Sequence, residues 1–166
     1  MRASCTYSEF FKTKTELMNK PGLLLVEDNP DHLELTLLAL EESGESHTIT
    51  VARSGKEAMD YLFCEGKYAA RSTNNPPELV LLDLGLPGMS GLEVMQQMRA
   101  DPRTFFVPVV MLTSANENSK AVLAFKGGLN SYVSKPLHYR DFLGKLEQVR
   151  EYWRTSNFAP LSSKGL

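Results

Sequence analysis

Cysteine is scarce in this sequence of 166 residues, which contains only Cys5 and Cys64 and therefore cannot hold a framework of disulfides. A reduced, cytoplasmic setting is expected for such a chain. No apolar run approaches the ~18 residues needed to cross a bilayer. The first twenty residues also lack the apolar segment of a signal peptide. We therefore expect a soluble protein without a membrane partner.

An excess of charge of one sign is absent as well. The chain carries 18 basic and 20 acidic residues, for a net charge of −2, so a broad basic surface for nucleic acid is not expected. Neither a GxxxxGK[ST] loop nor a glycine-rich dinucleotide fingerprint occurs, which argues against nucleotide-dependent enzymes. Hydrophobic residues make up 42% of the chain and charged residues 23%, as in an ordinary globular domain.

Five short apolar runs, each followed by a helical pattern, organise the chain. They predict buried strands at residues 23–26, 48–51, 79–82, 107–112 and 131–134. This alternation predicts a parallel sheet covered by helices on both faces. We place one domain at residues 21–155, with a flexible tail at 1–20, where Met18 is a candidate start, and a polar tail at 156–166.

Helix-start signals follow several of these runs. Asn29-Pro30 and Ser54-Gly55 each pair a preferred capping residue with the start of a helical pattern, and Ser90 leads a helix expected to bury Leu92, Met95 and Met98. Further helices are predicted near 118–126 and around Phe142, Leu146, Val149 and Trp153. The polar loop at 65–77 is unusually long, so it is either mobile or used for contacts.

Polar residues that can carry chemistry close four of the predicted strands: Glu27-Asp28, Asp83, Thr113 and Lys135. Because the carboxyl ends of parallel strands share one edge of the sheet, these side chains are expected to converge. Carboxylates suit Mg²⁺, an ammonium pairs with phosphate, and a buried aspartate can attack phosphorus. Taken singly, each has an ordinary reading as a turn residue or a surface charge. Pro136 favours a functional Lys135, because a residue before proline is held extended.

Four segments together resemble the receiver domain of two-component response regulators: VEDN (26–29), LLDLGLPGMSG (81–91), Thr113-Ser114-Ala115 and YVSKP (132–136). The similarity runs from about residue 21 to about residue 153. It implies a doubly wound, flavodoxin-like fold with five parallel strands in the order 2-1-3-4-5. It also implies that Asp83 accepts a phosphoryl group from a phosphohistidine on a sensor histidine kinase.

The resemblance further implies four magnesium ligands, namely Asp28, Asp83, the backbone carbonyl of Gly85 and, through water, Glu27. Thr113 and Lys135 are implied to hold the phosphoryl oxygens. Phosphorylation is then expected to draw Thr113 inward and to let the ring of Tyr132 turn in, which changes the face of the fourth helix, fifth strand and fifth helix at about 118–153. Gly85 and Ala115 are smaller than is common in the family, which leaves the hydrolysis rate of the acyl phosphate open.

A narrower resemblance links the chain to small regulators paired with bacterial phytochrome kinases. It depends on the 65–77 loop and on Glu151-Tyr152-Trp153, and it implies a homodimer through the last helices. The sequence given continues for about eleven residues beyond the last helix, so we expect its output to be a protein contact or onward phosphoryl transfer.

Two other functions fit parts of the pattern. A haloacid-dehalogenase-type phosphatase also uses an aspartate at a strand end, but it needs a second aspartate two positions later, where this chain has Gly85. A receiver-like module that binds partners without phosphate would be expected to lack an acidic, threonine or lysine site residue, and all are present. We therefore expect a phosphoacceptor that assists its own phosphorylation and dephosphorylation rather than an enzyme.

Overall fold

A computed structural model describes residues 22–42, 48–113, 128–135, 141 and 144–148. Several sequence predictions lie outside these residues: both tails, Met18, the helix near 118–126, Ser114-Ala115, Pro136, Phe142, Val149 and the segment Glu151-Tyr152-Trp153. The predicted domain ends at 21 and 155 lie outside them too.

Five parallel strands form one sheet in the order β2-β1-β3-β4-β5. Their bounds are β1 Leu23–Val26, β2 Ile49–Ala52, β3 Leu79–Asp83, β4 Val109–Thr113 and β5 Ser131–Ser134. The predicted fold class and strand order are confirmed. All residues of β1, β3 and β4 are buried, as expected for central strands covered on both faces.

The fourth strand begins later than its apolar run predicts. We predicted a start at residue 107, whereas pairing begins at Val109. Pro108 has no N–H to give to a ladder, and its carbonyl accepts a 2.9 Å hydrogen bond from the N–H of Val80. The ladder therefore starts one residue after the proline, and β4 ends at Thr113, one residue later than predicted.

Helices start where their capping residues predict. The bounds are α1 Pro30–Glu42, α2 Gly55–Phe63 and α3 Gly91–Ala100, and residues 144–148 are also helical. The Asn29 side chain accepts hydrogen bonds from two first-turn N–H groups of α1. Ser54 caps α2, and Ser90 forms a capping box with Glu93 at the start of α3.

The helices bury apolar faces on both sides of the sheet. One side is covered by α2 and α3, and the other by α1 and Leu146. In α3 the fully buried set is Gly91, Val94, Met95 and Met98, and Leu92 also points inward as predicted, although it is only partly buried where it packs against the same core. Spacings of three, four and seven define the face toward the sheet, and position 92 falls at its margin.

The 65–77 loop packs against α2. It contains a short 3₁₀ helix, Gly66–Tyr68, and the guanidinium of Arg71 lies 3.5 Å from the ring centroid of Tyr61. Lys67 forms an ion pair with Glu57 of α2. The sequence predicted that this loop is either mobile or used for contacts, and the structure shows contacts within the chain. No helix in the described part of the chain is both long and apolar enough to cross a membrane.

Candidate functional site

The carboxyl ends of β1, β3, β4 and β5 meet at one edge of the sheet. Register places Val26 beside Leu82, and Asp83 beside Leu112, so the residues that end or follow these strands lie next to one another. Gly91 brings α3 close to this edge, since a Cβ at position 91 would lie 2.2 Å from the carbonyl oxygen of Asp83. The topology therefore gathers residues that are far apart in the sequence.

Three carboxylates form a cluster at this edge. Glu27, Asp28 and Asp83 each offer an oxygen, and these oxygens all lie within 4.8 Å of one another. Glu27 is completely buried and Asp83 is buried, while Asp28 is half-buried. Crowded acidic groups repel one another and gain from a shared cation. An all-oxygen set of this kind fits a hard divalent ion.

Lys135 supplies a positive charge inside the cluster. Its Nζ lies 2.6 Å from Oε2 of Glu27 and 2.8 Å from Oδ1 of Asp83. Its backbone N–H donates a 2.7 Å hydrogen bond to the carbonyl of Thr113. This bond fixes the backbone from which the Lys135 side chain extends. Only 14% of the side chain is exposed, so these ion pairs are shielded from water.

Glu27 is the most buried acid of the cluster. The N–H of Asn29 donates to its Oε1 at 3.1 Å. Burial raises the pKa of the Glu27 carboxyl, and the hydrogen bond and charge of Lys135 partly oppose that increase. The carboxylate is therefore held in a place where its charge is costly unless a cation is near.

Glu27→Gln is expected to change how stability depends on pH in metal-free buffer. Between the ordinary pKa of 4.5 and the higher folded-state pKa, the folded wild type binds more protons than the unfolded chain. The free energy of unfolding of the wild type therefore falls as pH rises through that interval, and glutamine removes this loss. The melting temperature of the variant minus that of the wild type should grow with pH above about 4.5.

Thermal unfolding in EDTA across this pH range measures the effect. Glu34→Gln, which changes an exposed acid on α1, serves as the matched control. If the melting temperatures of Glu27→Gln and the wild type changed in parallel with pH, burial would not penalise this carboxylate.

Thr113 and Tyr132 occupy contrasting environments. The Thr113 side chain is 1% exposed, and within the described part of the chain its Oγ1 is a buried oxygen without a hydrogen-bond partner. Tyr132 lies on the edge strand β5 and is 44% exposed. Gly85 is exposed just after β3. A buried hydroxyl without a partner is costly, so Thr113 is ready to donate to an incoming acceptor.

His32 joins this site although the sequence did not single it out. Its Nδ1 lies 3.2 Å from Nζ of Lys135 and 3.7 Å from Oε1 of Glu27. His32 sits in the first turn of α1, four residues after Asp28. A search for polar side chains in the first turn of helices that follow strand-end acids would have found it.

Known proteins resemble this chain in sequence and in fold. The methanogenesis regulatory protein FilR2 of Methanothrix harundinacea, described as probable, is 40% identical over 83% of this chain and 86% of its own. The phosphorylated cyanobacterial phytochrome response regulator RcpA superposes with a TM-score of 0.77 at 32% identity, covering 85% of this chain and 99% of that one. The bacteriophytochrome response regulator RtBRR has a TM-score of 0.70 at 42% identity, covering 87% and 86%.

The family comparison covers most of the chain. Residues 23–147 match the response regulator receiver domain. This range contains the whole sheet, the carboxylate cluster, Lys135 and Thr113. The chain therefore belongs to the response regulator receiver domain family.

Proposed function

We propose that Asp83 is the phosphoacceptor of this response regulator and takes its phosphoryl group from a phosphohistidine on a sensor histidine kinase. The observation that carries the proposal is the position of Asp83, buried at the end of β3 beside two other acids and 2.8 Å from the ammonium of Lys135. An ammonium at this distance can pair with the negative charge of a transferred phosphoryl group.

The reaction is a displacement at phosphorus. A carboxylate oxygen of Asp83 attacks, the bond between phosphorus and the imidazole nitrogen breaks, and its electron pair stays on the departing imidazole. The new bond between oxygen and phosphorus makes an acyl phosphate. Because Lys135 is already paired with Asp83, its charge is in place before the reaction begins.

Asp28, Asp83, the Gly85 carbonyl and, through water, Glu27 are proposed to hold Mg²⁺. The three carboxylate oxygens within 4.8 Å of one another support this assignment. When bound, the ion supplies positive charge that offsets the charge of the phosphoryl group. The one positive charge of Lys135 does not neutralise the three carboxylates, so the cluster keeps a net negative charge that a divalent cation would neutralise.

Thr113 and Lys135 are proposed to hold the phosphoryl oxygens. Thr113 Oγ1 is buried without a partner among the described residues, and a phosphoryl oxygen would satisfy it. We propose that the phosphoryl group draws the Thr113 side chain toward it, and that this movement is the switch. The exposed ring of Tyr132 then turns inward. The two states need differ by only a few kcal/mol.

The output surface belongs to the fourth helix, fifth strand and fifth helix, of which the structure describes β5 and residues 144–148. A homodimer through the last helices stays a prediction, as do the domain limits at 21 and 155. Size-exclusion chromatography with light scattering, before and after phosphorylation, tests the dimer.

Phosphorylation by a small donor tests the proposed chemistry. The protein is incubated with acetyl phosphate and Mg²⁺, and the added phosphoryl mass is mapped to a peptide. We expect the mass on the peptide that contains Asp83, with none added when EDTA replaces Mg²⁺. Turnover of a generic phosphate ester would favour a phosphatase, and no mass under any condition would favour a binding module.

The kinase is proposed to be of the phytochrome type. RcpA and RtBRR, both described as phytochrome response regulators, cover 85% and 87% of this chain. Phosphoryl transfer from a phosphorylated phytochrome-type kinase should be at least about tenfold faster than from an unrelated sensor kinase. Equal transfer rates from the two kinases would contradict the proposal of a phytochrome-type kinase but would not affect the proposed role of Asp83.

A further inference from the structure

We infer that His32 is a positioning residue for Lys135 and that it keeps the ammonium aimed at the phosphoryl group throughout the transfer. The inference depends on the proposed role of Asp83. Its basis is a hydrogen bond between the Lys135 ammonium and the His32 ring, with Nζ and Nδ1 separated by 3.2 Å. None of the roles expected from the resemblance uses this residue.

The direction of the hydrogen bond follows from chemistry. A lysine ammonium has three donors and no acceptor, so Nδ1 of His32 must be the acceptor. The distance of 3.7 Å from Nδ1 to Oε1 of Glu27 is too long for a hydrogen bond, which agrees with an Nδ1 that has no proton to donate.

Three side chains surround the ammonium, two through hydrogen bonds and Asp83 through an ion pair. Oε2 of Glu27 lies at 2.6 Å, Oδ1 of Asp83 at 2.8 Å and Nδ1 of His32 at 3.2 Å. These partners come from the end of β1, the end of β3 and the start of α1. The ammonium is therefore held from three directions.

His32 is itself held by the helix start. Its backbone N–H donates to Oδ1 of Asn29 at 3.2 Å, and its carbonyl accepts from the hydroxyl of Thr36 at 2.8 Å. Both contacts use the backbone, so they leave the ring free to serve Lys135. A change of side chain at position 32 should leave the cap intact.

The three partners differ in what the reaction does to them. Asp83 becomes an acyl phosphate, and Glu27 is a proposed ligand of the ion through water. His32 takes part in neither change, so its hydrogen bond persists while the other two partners change. Without His32, the N–H that donates to Nδ1 turns to water and the ammonium is less firmly directed.

Two variants of nearly equal shape separate this role from a structural one. Asparagine places its Oδ1 close to the position of Nδ1, whereas leucine has the same branching and no acceptor. The initial rate of phosphoryl uptake from acetyl phosphate should fall about fivefold in His32→Leu and stay within about twofold of wild type in His32→Asn. In a Lys135→Met background, the two His32 variants should differ by less than about twofold, because their effect passes through the ammonium.

A second readout needs neither ion nor phosphate. In metal-free protein labelled with ¹⁵N-lysine, the Lys135 ammonium signal is identified by its loss in Lys135→Met. It should remain sharp in His32→Asn and broaden in His32→Leu, because an ammonium with fewer partners exchanges its protons faster.

The outcomes are distinct. Equal uptake rates for His32→Leu and His32→Asn, or a difference that persists without Lys135, would overturn the positioning role alone. An unchanged ammonium signal in His32→Leu would do the same. A wild type that takes up no phosphoryl group would overturn the proposed function, and this inference with it.

Discussion

Asp83→Asn is expected to abolish phosphoryl uptake from acetyl phosphate or a kinase, with a loss of at least about 1,000-fold. Asparagine has nearly the same shape as aspartate, but its amide does not act as a nucleophile toward phosphorus. The fold should survive, since Lys135 keeps its 2.6 Å contact with Glu27. Mass spectrometry of the intact protein, taken over a time course, measures the loss.

Asp60→Asn is the matched control for this change. Asp60 lies on α2 and pairs with Lys56 on the surface, away from the carboxylate cluster. Uptake by this variant should equal that of the wild type. A phosphoryl group found on another residue of Asp83→Asn at the normal rate would show that Asp83 is not the acceptor.

The sheet could be predicted from the sequence because its central strands are covered on both faces. A strand buried on both sides reads as a continuous apolar run, and β1 and the first four residues of β3 both do so. Capping residues such as Asn29 then place the helix starts to within a residue. Where the pattern failed, local physics explains it, as with Pro108 at the start of β4.

The site could be predicted only as a set of residues on one edge. Strand ends place Glu27, Asp83 and Lys135 together, but the sequence contains no distances. That Lys135 reaches both acids, one of them 108 positions away, depends on side-chain packing. The hydroxyl of Thr113, buried without a partner among the described residues, is likewise visible only in three dimensions.

His32 illustrates what pattern reading overlooks. A histidine in the first turn of a helix, 47% exposed, looks like an ordinary surface residue. Its role follows from its contact with Lys135, which lies more than one hundred residues later in the sequence. The strand order brings the end of β5, where Lys135 lies, to the same edge of the sheet as the start of α1. Sequence motifs point to the residues that carry a known role, whereas a residue such as His32 is found only through its contacts in the structure.

Lys135→Met is expected to slow phosphoryl uptake and yet to strengthen Mg²⁺ binding. The ammonium that pairs with the phosphoryl group is lost, which should reduce the initial rate about 100-fold. The same ammonium occupies Oε2 of Glu27 and Oδ1 of Asp83, so its removal frees two proposed ligands for the cation. The dissociation constant for Mg²⁺, measured by calorimetry, should fall about tenfold.

Stability should follow the same charges. Without metal, Lys135→Met leaves the buried Glu27 carboxylate without its ion-pair partner, and the free energy of unfolding should fall by about 3 kcal/mol. Mg²⁺ should restore much of this loss, because the ion binds the folded state and replaces the missing positive charge. Lys145→Met provides the matched control, since that ammonium contacts Ser134 and is not part of the ion pairs of the cluster. If Mg²⁺ affinity instead dropped together with the uptake rate, Lys135 would be a support of the pocket and not a competitor for its ligands.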